Sequence, residues 1–109
     1  MLPRPYRLPA PEILHVLRFG KKTADEVISV TLKPNQKTNS RWAILISKKI
    51  VKKAAKRNRL RRVFKAAIIE LIPQVGAYDV VVRLKKPIPS VTSKYARQML
   101  EKVLKTIVK

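Results

Sequence analysis

Residues 48–65 read KKIVKKAAKRNRLRRVFK, ten Lys and Arg in eighteen positions with no acid among them. Such a run cannot be buried, because it offers no local countercharge. Yet Leu60, Val63, Phe64, Ala67, Ile68 and Leu71 recur through and beyond it at three- and four-residue steps, the pattern of an amphipathic helix. The spacing predicts a long helix that begins between Lys52 and Arg57 and is ended by Pro73 and Gly76. One seam of that helix must pack against a sheet or another helix, and the rest must stay wet and strongly positive. Like charges four residues apart cost a few tenths of a kcal/mol each in an isolated helix. A polyanion reverses the sign of that cost by releasing counterions.

The rest of the chain does not neutralise the run. Over 109 residues there are 26 Lys and Arg against 6 Asp and Glu, a formal net charge of +20. Hydrophobic residues make up 46%, well above what a basic disordered tail contains, so a folded domain with a positive surface is expected. The length suits one domain, residues 1–109, with a single modest core. The partners that such a field attracts are nucleic acid, an anionic membrane or an acidic protein. There is no cysteine, which excludes disulfides and cysteine-based zinc sites, and His15 is the only histidine. No apolar stretch reaches the roughly 18 residues of a membrane span. The opening MLPRPYRLPAPE lacks a signal-peptide core, so a cytoplasmic chain is expected.

Four prolines in the first eleven residues predict an extended arm over 1–11. PEILHVLRFG reads as a short helix with Pro11 in its first turn and Gly20 at its end. EVISVTLK (26–33) and SRWAILIS (40–47) read as strands, with the turn PNQKTN suited to an antiparallel connection between them. Along the second strand Trp42, Ile44 and Ile46 share one face, and Ala43, Leu45 and Ser47 the other. YDVVVRL (78–84) is a nearly continuous apolar run, as in a strand buried within a sheet. Ala96, Met99, Leu100, Val103, Leu104 and Ile107 mark a closing helix, with Ser90, Thr92 or Ser93 as its cap. The order helix, strand, strand, helix, strand, helix predicts an α+β fold, a sheet with helices packed on it.

Protein-borne catalysis finds little support. The six acids are Glu12, Asp25, Glu26, Glu70, Asp79 and Glu101. Only Asp25 and Glu26 are adjacent, and neighbours on a strand point to opposite faces. There is neither a glycine-rich phosphate loop nor a nucleophile elbow. The helix carries the signal instead. Asn58, Arg61 and Lys65 form one stripe and Arg59 and Arg62 a second, while Lys56 and Arg57 crowd the first turns. Arg suits forked contacts to phosphate, and Asn adds a neutral amide contact. A solvated basic face is the bland alternative; the missing acids and the sharp apolar seam favour nucleic-acid binding. On pattern alone, Ile13, Leu17, Trp42 and Phe64 are core residues and His15 a surface one.

ISKKIVKKAAKRNRLRRVFKAAI resembles the signature of the protein subunit of bacterial ribonuclease P. In that family a strand ending in Ser-Lys-Lys, here Ser47, Lys48 and Lys49, leads into a helix opening with Arg-Asn-Arg, here Arg57, Asn58 and Arg59. YRLPAPEILHVLRFG is similar to the family's arm and first helix, and GAYDVVVRLKKP to its last strand. The resemblance implies a two-layer α–β sandwich with a mixed sheet of about four strands and a left-handed βαβ crossover through the basic helix. It implies a non-catalytic subunit of an endoribonuclease whose active site is RNA, working with Mg²⁺ held mainly by that RNA to remove the 5′ leader of precursor tRNA. The implied partners are the catalytic RNA and the leader, with no membrane and no obligate protein partner.

Carried over by position, the RNA-binding residues are Lys48, Lys49, Lys52, Lys53, Lys56, Arg57, Asn58, Arg59, Arg61, Arg62 and Lys65. The implied leader cleft is walled by Ile13, Leu17, Ile28, Val30 and Leu45. Family members commonly have aromatics where this chain has Ile13 and Leu17, and often at Val30, so the basic residues are expected to carry more of leader binding here. Phe19 lies nearby. A ribosomal RNA-binding protein is the main competing reading. A stand-alone nuclease using Asp25 or Glu26 and a double-stranded DNA binder follow it.

Overall fold

The computed structural model describes residues 2–88 and 91–105. The arm contains a 3-10 turn over Arg4–Tyr6 and then runs alongside Trp42, where the Leu8 N–H donates to the Trp42 carbonyl at 3.0 Å. It gives way to helix α1 (Ala10–Phe19), with Pro9 at the N-cap and Pro11 in the first turn. The arm is therefore shorter than residues 1–11 and is tied down at the sheet. Strand β1 (Lys21–Ala24) follows, then β2 (Ile28–Pro34), β3 (Arg41–Leu45), helix α2 (Ala54–Val75), β4 (Tyr78–Leu84) and helix α3 (Ser93–Leu104). Thr92 caps α3, its Oγ1 accepting from the Tyr95 N–H. Ser90 and Ile107 lie outside the described residues.

The sheet order is β1-β2-β4-β3, with β4 antiparallel to β2 and parallel to β3. Two expectations change. KKTA, outside the expected strands because it has no apolar face to signal one, forms β1 by pairing with residues 29–32 of β2. And β2 and β3, although opposite in direction, are not neighbours: β4 is inserted between them. The reason lies in β4 itself. A strand apolar on both faces is most stable where both faces and both edges are covered. Pro73 also departs from expectation, since α2 runs past it to Val75 before Gly76 stops it at φ 78°.

Helices α2 and α3 cover one face of the sheet. There Ile28, Val30 and Leu32 of β2, Val80, Val82 and Leu84 of β4, Trp42 of β3 and Ile46 just after it meet Leu60, Phe64, Ala67, Ile68 and Leu71 of α2 and Ala96 and Leu100 of α3. Trp42 is fully buried, its Nε1–H donating to Ser40 Oγ at 2.7 Å. On the opposite face α1 covers only part of the sheet, with Val16 and Leu8 packed on Val81. Gly20 lets the end of α1 approach closely: a Cβ there would sit 2.6 Å from the Val16 carbonyl oxygen and 2.8 Å from that of Leu32. The part of this face beyond α1 is left open.

Candidate nucleic-acid interface

Every one of the six acids is engaged within the fold. Arg41 donates through Nε and Nη2 to both oxygens of Asp79, at 2.8 Å each, and through Nη1 and Nη2 to Glu12 at 3.2 and 2.9 Å. Asn35 Nδ2 adds a bond to Asp79 at 2.9 Å. Hydrogen bonds to Asp79 and then to Glu12 hold the Arg41 guanidinium more firmly protonated than usual, outweighing its burial. Arg97 joins Glu101 and Glu70, which likewise favour its protonated form. Glu26 lies 3.6 Å from Lys86. The Asp25 carboxylate accepts the N–H groups of Val27 and Ile28. Burial pushes the Asp25 carboxyl up, but these two bonds, with Lys102 and Lys85 nearby, bring it below its ordinary value. Asp79, Glu12 and Glu70 thus fasten elements to one another, Asp25 and Glu101 bond locally, and the basic run keeps no partner among the six.

Local bonding explains how that run is displayed. After β3, Ser47 closes a turn: its carbonyl accepts from Ile50 and Val51 at 3.1 and 3.0 Å, which leaves Lys48 and Lys49 exposed. Val51 is buried under the turn, anchoring it. Lys52, Lys53 and Lys56 are exposed around the start of α2, where Lys53 is the N-cap with no side-chain bond and the first turn has no acid. The positive end of the helix dipole thus adds to the lysines there. Arg57 is half-buried and its Nη1 donates to the Val51 and Lys52 carbonyls at 2.9 and 3.0 Å. Part of that guanidinium is a clamp on the turn, a role the sequence pattern did not show. Asn58, Arg59 and Arg62 are exposed, while Arg61 and Lys65 are half-buried. Arg61 donates to Asn58 Oδ1 at 3.1 Å, which joins two members of the expected stripe.

Next to this face, the uncovered end of the sheet forms a groove of about 740 Å³. Leu17 of α1, Ser29 of β2 and Leu45 of β3 line it, along with Lys22, Lys49, Arg61, Arg83 and Lys85. Of the five residues expected to wall a leader cleft, Leu17 and Leu45 line this groove. Ile13 packs instead under α1 with Leu8, Val16 and Val81. Ile28 and Val30 are a correction: both are fully buried in the main core, on the other face of the sheet. Strand side chains alternate, so the β2 residues facing the α1 side are Ser29 and Thr31. Sequence reasoning missed Lys22, Ser29, Arg83 and Lys85. Arg83 had a signal, being the lone cation in a buried apolar strand, which requires one uncovered patch of sheet.

Fold and site together define a small basic α+β protein that presents an acid-free basic helix beside an open, cation-lined groove. The profile of the Ribonuclease P family matches residues 2–108. A ribonuclease P protein component from Methylococcus capsulatus is 32% identical over 101 residues, 92% of this chain and 79% of that protein. The RNase P protein from Thermotoga maritima superposes with a TM-score of 0.80 at 26% identity, over 94% of this chain and 98% of that one. The Staphylococcus aureus RNase P protein shares the fold with a TM-score of 0.80 over 93% and 94% of the two chains. The chain belongs to the ribonuclease P protein family.

Proposed function

We propose that this chain is the RNA-binding, non-catalytic protein subunit of ribonuclease P and assists Mg²⁺-dependent removal of the 5′ leader from precursor tRNA. In this reading the catalytic RNA lies against Lys48, Lys52, Lys53, Lys56, Arg59 and Arg62, with Arg57 and Asn58 at the start of the helix. The single-stranded leader runs in the groove past Leu17, Ser29 and Leu45, its phosphates drawn by Lys22, Lys49, Arg61 and Arg83, with Lys65 beyond. The observation that carries this is the continuity of the two surfaces. Lys49 and Arg61 belong both to the uncompensated basic run and to the groove lining.

The side chains present do not fit a protein-held Mg²⁺. Among the described residues no three carboxylate, histidine or cysteine side chains converge, and each carboxylate is already bonded within the fold. In this reading the hydrolytic chemistry belongs to the RNA partner with its metal ions, and the protein's part is to position strands and offset phosphate repulsion.

The test is cleavage of a precursor tRNA by a bacterial ribonuclease P RNA at low Mg²⁺, with and without this protein. Restored 5′ cleavage with the protein, and none by the protein alone, is the expected result. Cleavage by the protein alone, abolished by Asp25→Asn or Glu26→Gln, would replace this reading with a stand-alone nuclease. Arg61→Ala with Lys65→Ala is expected to weaken leader binding more than Leu17→Ala.

A further inference from the structure

The solvent side of α1 carries Leu14 and Phe19, 74% and 64% exposed. Both are large apolar side chains left in water on a ten-residue helix. Phe19 is not isolated there. Its ring lies 4.8 Å from that of His15, one turn earlier, with the planes inclined by 50°. Together with Arg18, Leu14 and Leu17 these rings shape a shallow recess of about 520 Å³. An aromatic pair at i, i+4 strengthens a helix by only a few tenths of a kcal/mol, which does not require Phe19 to stay largely in water.

Two observations indicate what covers the patch. Leu17 lines both this recess and the cation-lined groove, so the two are continuous along α1. The surroundings are also one-signed: Arg18 lines the recess, Lys21 and Lys22 follow Gly20 exposed in the chain, with Lys22 on the groove, and the only acid of α1, Glu12, is held by Arg41. A second copy of a chain with net charge +20 would meet its own field here. An unpaired nucleic-acid strand brings opposite charge and flat apolar faces, and aromatic rings stack on any base.

We propose that the Phe19–His15 pair is a stacking site for an unpaired base of the strand that occupies the groove, with Phe19 as the platform and Arg18 neutralising the adjoining phosphate. This rests on the groove reading above and adds to it a second contact, outside the groove and past Leu17. The strand then needs to be long enough to reach from Arg83 and Ser29 to the far end of α1.

The test is binding of the full chain to single-stranded oligoribonucleotides of about ten nucleotides, within the usual range for such sites, carrying 2-aminopurine at successive positions. One position at an end of the footprint is expected to be quenched by Phe19 stacking. Phe19→Ala should abolish that quench and lower affinity about 5- to 10-fold, the lower part of the stacking range, while Phe19→Trp restores both. A shorter oligonucleotide that fills only the groove should bind wild type and Phe19→Ala alike. The proposal is overturned if Phe19→Ala binds the longer strand as wild type does while Arg61→Ala weakens it, which leaves the groove reading standing. If neither variant weakens binding, both readings fall. Self-association of the wild type lost in Phe19→Ala, with unchanged RNA affinity, would assign the patch to a second copy instead.

Discussion

Replacing Arg41 by Met is expected to be the most destabilising single change outside the apolar core. The guanidinium joins α1, β3 and β4 through four hydrogen bonds, two to Asp79 and two to Glu12. The two halves are not equivalent. The Asp79 side chain is 8% exposed and that of Glu12 is 46%. Glu12 can be re-solvated, so its share is that of a surface pair, about 0–1 kcal/mol. Asp79 cannot: without Arg41 it remains a buried charge with only the Asn35 side-chain bond, among the described residues, to offset it. Breaking a buried pair from one side costs about 3–5 kcal/mol. The expected loss for Arg41→Met is therefore about 3–5 kcal/mol, within a typical total of about 5–15 kcal/mol, so the chain should still fold. Trp42 is the only tryptophan and lies beside Arg41 in the core, which makes urea unfolding followed by its fluorescence the natural assay. Arg41→Met with Asp79→Asn should recover at least half of the loss, since the stranded charge is gone. A loss below about 1 kcal/mol would mean that the trio is solvated and the burial argument wrong. A double variant no more stable than Arg41→Met would place the loss in packing rather than charge.

Asp25, with its carboxyl held below the ordinary value, stabilises the fold above its unfolded pKa of 3.8 and loses that contribution as pH falls through the lower folded value. Asp25→Asn, which keeps an acceptor oxygen, should thus lower stability near pH 7 and do so less as pH falls below 3.8, read from urea midpoints across that range. Gly76 lies at φ 78° and ψ −153°, a region open essentially to glycine alone, although space for a side chain exists. Gly76→Ala should lower stability by about 1–3 kcal/mol through backbone strain; an unchanged urea midpoint would refute this. Arg59→Ala, at an exposed site, should leave stability unchanged and reduce the slope of log binding constant against log salt for the catalytic RNA by about 1. Arg57→Ala should instead lower stability by about 1 kcal/mol, through loss of the bonds to the Val51 and Lys52 carbonyls, as well as weakening RNA binding.

What could be read without coordinates was whatever is written in local periodicity. The seam from Leu60 to Leu71 defines α2 and its packed face, and the nearly continuous apolar run over 78–84 defines β4 to the residue. The acid-free stretch 48–65 gives the sign of the field that the helix presents, because a charge pattern is a property of composition and spacing alone. Other features depend on residues far apart in the chain. The strand KKTA has no pattern of its own and exists because β2 offers it an edge. The place of β4 between β2 and β3 follows from burying both of its faces at once. Ile28 and Val30 alternate with Ser29 and Thr31 on the same strand, and alternation says that the two sets part company without saying which meets α1. That choice was made by the core, where α2 and α3 need large apolar side chains, and by Gly20, which brings the end of α1 down onto Thr31. The clamp of Arg41 on Glu12 and Asp79 spans 29 and 38 positions of sequence, and only the folded chain brings those charges within bonding distance.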